Sequence, residues 1–128
     1  MLKSSKAFQG FSVNDIEAAK GFYGETLGLD VSENEAGLTL ELAGDRGTLI
    51  YPKENHEPAS FTILNFPVAD VEATVEALTE RGVQFERYEG SEIETDEKGV
   101  YRGEGPLIAW FKDPAGNVLS IIDEGEAS

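Results

Sequence analysis

Residues 11–18 read Phe-Ser-Val-Asn-Asp-Ile-Glu-Ala, and residues 66–73 read Phe-Pro-Val-Ala-Asp-Val-Glu-Ala. Five of the eight are identical at an offset of 55, and Ile16 against Val71 is a conservative sixth. Leu27-Gly28-Leu29 follows the first stretch much as Arg81-Gly82-Val83 follows the second, with one residue of slip. A repeat of this period means that one supersecondary unit occurs twice and that its copies share register.

Each copy opens with alternating apolar residues, Phe8 to Val13 and Phe61 to Val68, the period of a half-buried strand. Asp15 and Asp70 then stand where a helix N-cap is needed, with Glu17 and Glu72 favoured by the helix dipole. Ile16, Ala19, Phe22 and Tyr23 recur at helical spacing, as do Val71, Val75 and Leu78, and Gly28 and Gly82 occupy C-cap positions. Short strands are predicted next: Leu29–Ser32, Gly37–Ala43 and Gly47–Pro52 in the first copy, Val83–Tyr88, Pro106–Phe111 and Asn117–Asp123 in the second. Ala43-Gly44-Asp45-Arg46-Gly47 reads as a hairpin turn, and Asp113-Pro114-Ala115-Gly116 as a strong one. Residues 89–105 form a polar insertion without counterpart in the first copy, expected as a mobile surface loop. The fold class is α+β, two βαβββ repeats in one domain over residues 1–128, repeat one about 7–53 and repeat two about 60–123.

Composition narrows the function. Twenty-five acidic residues against ten basic give a net charge of −15, which repels nucleic acid and anionic lipid and favours cationic partners or simple solubility, including adaptation to high salt. No apolar run is long enough to span a bilayer, residues 1–6 lack a signal-peptide core, and there is no cysteine. A cytoplasmic location is expected.

Val13-x-Asp15 leading to Phe22-Tyr23 and Leu27-Gly28-Leu29, Val68-x-Asp70, and Trp110-Phe111-Lys112-Asp113-Pro114-Ala115-Gly116-Asn117 together resemble the vicinal oxygen chelate superfamily. That group contains glyoxalase I, bleomycin-resistance proteins and extradiol dioxygenases. The resemblance covers about residues 7–123 and implies a U-shaped, partly open barrel-like sheet around a central cavity, in a homodimer that is either domain-swapped or side by side. It also implies a divalent cation held from the first and last strands of each unit. Counting seven back from the capping Asp reaches Phe8 and Ile63; seven beyond Asp113 is Ser120, with a first-unit partner near Leu49. Phe, Ile and Leu have no lone pairs for a metal, and serine is a poor sole ligand. A one-residue shift would bring Gln9 forward but would turn the apolar face of the strand away from its helix. The only histidine, His56, sits in a polar segment after the fourth strand and reads as solvated loop. No cofactor and no metal are expected.

With that register, Phe8, Gly10, Ser12, Leu49, Tyr51, Ile63, Asn65, Pro67, Val118, Ser120 and Ile122 face the cavity, together with Trp110 or Phe111, the family signature favouring Trp110. The candidate ligand-binding set is Phe8, Leu49, Tyr51, Ile63, Asn65, Trp110 and Ser120: aromatic rings for stacking and cation–π contact, Asn65 and Ser120 for orienting hydrogen bonds. The leading function is metal-independent binding of an aromatic or cationic small molecule. A lyase, isomerase or dioxygenase with a relocated metal or a carboxylate base (Glu41 and Glu104 are unassigned) is a second reading, and an interaction module with a filled core a third. No phosphate loop, nucleophile elbow or catalytic triad is legible.

Overall fold

The computed structural model describes residues 1–43, 47–87, 95–96, 98–102 and 106–124. The chain divides into two compact units, Met1–Glu57 and Pro58–Ser128. In the first, β1 (Gly10–Val13) is followed by α1 (Ile16–Gly21), β2 (Asp30–Asn34), β3 (Gly37–Glu41) and β4 (Thr48–Pro52). Asp15 caps α1 by accepting the Ala18 N–H at 3.1 Å, as the repeat predicted. The helix does not stop at Gly21. It widens into a π-helical turn over Phe22–Thr26, in which the Leu27 N–H donates to the Phe22 carbonyl, and Gly28 at φ 75° ends it. The turn seats Tyr23, fully buried, edge-on to Phe22 and 6.0 Å from the ring of Phe11.

Strand order in this sheet is β1-β4-β3-β2, with β1 parallel to β4 and the other pairs antiparallel. Val13, Leu38, Leu40, Thr48 and Ile50 form the buried face beneath α1. Parity then sends Gly10, Ser12, Thr39, Leu49 and Tyr51 to the opposite, open face. The expected hairpin turn after Ala43 falls on residues 44–46, outside the described residues.

The second unit repeats the plan. It contains β5 (Thr62–Val68), α2 (Val71–Glu80), β6 (Val100–Tyr101), β7 (Ile108–Lys112) and β8 (Val118–Asp123), in the order β5-β8-β7-β6. Asp70 caps α2 on the Ala73 N–H at 3.0 Å, and Gly82 at φ 96° closes it. Both units are therefore βαβββ, and the α+β assignment holds.

Two predicted features are corrected. Val83–Tyr88 is not a strand: within its described part only Phe85 bridges to Phe111, and the Glu86 N–H donates to the Trp110 carbonyl at 2.8 Å. The sheet edge is instead completed from the segment expected as a surface loop, because Val100 pairs with Ala109 and Tyr101 with Ile108. Residues 85 and 86 lie against 111 and 110, and residues 100 and 101 pair with 109 and 108. The described residues between 95 and 102 are anchored. Lys98 and Arg102 form ion pairs with Glu76 and Glu72 of α2, Arg102 also bonds Asp96, and Thr95 and Gly99 are buried. Gly99 has φ 92°, and a Cβ there would lie 2.8 Å from the Phe85 Cβ.

Candidate functional site

The second unit places three predicted residues in one row. Trp110 of β7 lies opposite Ser120 of β8, and Ser120 lies beside Asn65 of β5. Adjacent strands are about 4.8 Å apart and paired residues share a face, so these side chains stand together across three strands. Ser120 is 0% exposed and its Oγ lies 2.5 Å from Asn65 Oδ1. Trp110 is half-buried, and its ring centroid is 6.1 Å from that of Tyr101 at a tilt of 46°. Ile108 and Ile122 pair on the same face beyond Trp110. The choice left open between Trp110 and Phe111 is decided by packing: Phe111 is 1% exposed on the helix side, with Phe85 at 5.3 Å.

The turn Asp113–Gly116 holds this row in register. The Asp113 carboxylate accepts the backbone N–H groups of Ala115 and Asn117 on Oδ1 and the Asn117 amide on Oδ2, each at 2.9 Å. Gly116 supplies φ 88°, and the hairpin returns β8 so that Ser120 meets Trp110.

Ile63 does not hold the position the repeat assigns it. Thr62 pairs with Val118 and Leu64 with Leu119, so Ile63 is the extra residue of a β-bulge and Thr62 takes its register place. Phe8 is likewise displaced: it lies ahead of β1 and is 67% exposed. Pro67 pairs with Ile122 on the open face.

In the first unit, Ser12 and Tyr51 are paired on the open face, as are Gly10 and Leu49. The loop after β4 brings His56, half-buried, to within 2.6 Å of Ser12 Oγ through Nδ1. His56 is therefore a structured partner of the first strand rather than a solvated side chain. The hint in the sequence was the inward-facing Ser12, but the contact joins residues 44 apart and no local pattern announces it. Glu41 is exposed on β3, within 3.5 Å of Ser32, and Glu104 lies outside the described residues. A separate groove of about 680 Å³ lies on the helix side of the second unit, floored by Val75, Val83 and Phe85 and rimmed by Glu76, Arg87 and Lys98.

Comparison with known proteins agrees with this architecture. The model of the glyoxalase/bleomycin resistance protein/dioxygenase superfamily matches residues 8–121. The chain belongs to that superfamily. No curated protein matches it. Among solved structures it is similar to TnmS3, an antibiotic binding protein from Streptomyces sp. CB03234, at 28% identity and TM-score 0.64, covering 95% of this chain and 98% of that one. A glyoxalase/bleomycin resistance protein from the same Streptomyces strain is also 28% identical, with TM-score 0.57 over 91% of this chain and 100% of the other. A glyoxalase family protein from Enterococcus faecalis shares the fold at 24% identity and TM-score 0.67, covering 96% and 100%.

Superfamily membership raises the question of a divalent metal, and the register answers it for these residues. Gly10 pairs with Leu49 and its repeat equivalent Asn65 pairs with Ser120, so Leu49 is the first-unit counterpart of Ser120. Leu49 offers only hydrocarbon, the Ser120 hydroxyl is engaged with Asn65, and Phe8 and Ile63 are hydrocarbon displaced from the ladder. The alternative register through Gln9 is not adopted, since Gly10 and Ser12 share the open face with Leu49 and Tyr51. Among the described residues no three His, Cys, Asp or Glu side chains group as metal ligands. This donor set does not fit the superfamily's cation.

Proposed function

We propose that this superfamily member binds a planar aromatic small molecule, cationic or neutral, without a metal, on the sheet face that carries Trp110. The Trp110–Ser120–Asn65 row carries the reading: an indole beside Tyr101, a small residue in the middle and an amide at the far end form a shallow apolar floor with one polar edge. The net charge of −15 favours cations over anions at such a face. The 28% identity to an antibiotic binding protein supports the same class of role. Residues 1–128 act as one domain in this proposal, a cytoplasmic homodimer. No helix among the described residues is long and apolar enough to cross a membrane.

Trp110 is the only tryptophan, so its fluorescence reads this face alone. Aromatic cations should quench it saturably at a stoichiometry of one per face, and dialysed protein should bind them without added metal. Stoichiometric zinc, nickel, manganese or iron surviving dialysis, or binding that a chelator abolishes, would refute metal independence. Sedimentation gives the oligomeric state. The enzyme reading draws on one observation, the Ser12–His56 contact on the open face of the first unit; turnover lost in His56→Gln would favour it.

A further inference from the structure

Ser120 is fully buried, yet it carries a hydroxyl whose hydrogen needs an acceptor. The atom 2.5 Å from its Oγ is Asn65 Oδ1, which has no hydrogen, so Ser120 donates and Asn65 accepts. That bond sets the amide. With Oδ1 held by Ser120, the two N–H groups of Nδ2 remain, and they have no partner among the described residues. Asn65 itself is exposed on the edge strand β5.

We propose that Asn65 is the specificity-determining residue of this face, donating from Nδ2 to a neutral carbonyl-type oxygen on the ligand, while Ser120 acts as a positioning residue that keeps the amide in that orientation. This rests on the aromatic-ligand reading above. Three observations carry it. The row places Asn65 two strands from Trp110, about 10 Å by strand spacing, so a fused ring system stacked on the indole and lying over β8 brings its far edge to the amide. Ser120, between them, is small and fully buried, so the contacts to the ligand fall to Trp110 and Asn65. The excess of acidic residues disfavours a carboxylate as the acceptor, which leaves ketone, quinone or amide oxygens. The first unit cannot offer the same contact: its equivalent row is Thr39–Leu49–Gly10, with a glycine in place of Asn65. One end of the ligand is thereby distinguished from the other, and a face built around a donor discriminates against analogues that lack the acceptor.

The test uses the full chain and two probes differing only at the bridging carbon, fluorenone (C=O) and fluorene (CH2), each carrying the same trimethylammonium-methyl substituent, titrated by calorimetry. The native protein should prefer the ketone by roughly two- to tenfold, the range of one hydrogen bond. Asn65→Ala should bring the ratio to one, and Asn65→Asp, which can only accept, should reverse it. Ser120→Ala should lower the preference, because the amide is then free to rotate. A ratio of one in the native protein, or a preference that persists in Asn65→Ala, overturns the assignment of Asn65 alone. Failure of both probes to bind overturns the aromatic-ligand reading and this proposal with it. Thermal melts of each variant check that the fold is intact.

Discussion

Asp113→Ala tests whether the Asp-Pro-Ala-Gly turn is a structural device that holds β7 and β8 in register. Asp113 is 5% exposed and accepts three hydrogen bonds, from Ala115 N–H, Asn117 N–H and the Asn117 amide. Alanine removes the carboxylate that the buried Asn117 donors use, at about 1–3 kcal/mol each, while water can reach the half-buried Ala115. Relief of carboxylate burial offsets part of this. The net loss is about 2–4 kcal/mol, which for a domain of this size lowers Tm by roughly 8–15 °C. Asp113→Asn keeps Oδ1 for the two backbone donors but sets an amide nitrogen against Asn117 Nδ2, so its loss should be smaller, about 1–2 kcal/mol. Differential scanning calorimetry gives the order: native, then Asn, then Ala. A Tm for Asp113→Ala within about 2 °C of native, or Asp113→Asn as the worse variant, refutes the hydrogen-bond accounting.

Three further outcomes are expected. Phe111→Ala should cost about 3–5 kcal/mol in chemical denaturation, since its ring is buried against Phe85, whereas Trp110→Ala should cost less and abolish aromatic-ligand binding. Gly37→Ala should cost about 2–5 kcal/mol, because φ is 144° and the added Cβ would lie 2.2 Å from the Ile50 carbonyl oxygen; a melt unchanged from native would contradict that backbone. His56→Ala should cost about 1 kcal/mol in urea unfolding through loss of the Ser12 bond, and Ser12→Ala combined with it should add little further.

The sequence by itself determined what depends on neighbours along the chain. Asp15 and Asp70 as caps, Gly28 and Gly82 as helix ends, the Asp113–Gly116 turn and the parity of each strand follow from local hydrogen-bonding geometry and periodicity, and the repeat offset of 55 relates Asp15 to Asp70. What only the tertiary structure decided involves residues far apart or residues that break register. The bulge at Ile63 exists because β8 accepts Thr62 rather than Ile63 beside Val118, and Phe8 lies ahead of the strand rather than in it. Val100 and Tyr101 pair against β7, so they look like loop until β7 is in place. The contacts Ser12–His56 and Asn65–Ser120 span 44 and 55 residues. A local pattern specifies which face a side chain takes; which partner it meets there depends on strand pairing between distant segments, and that pairing decided that Asn65 meets Ser120.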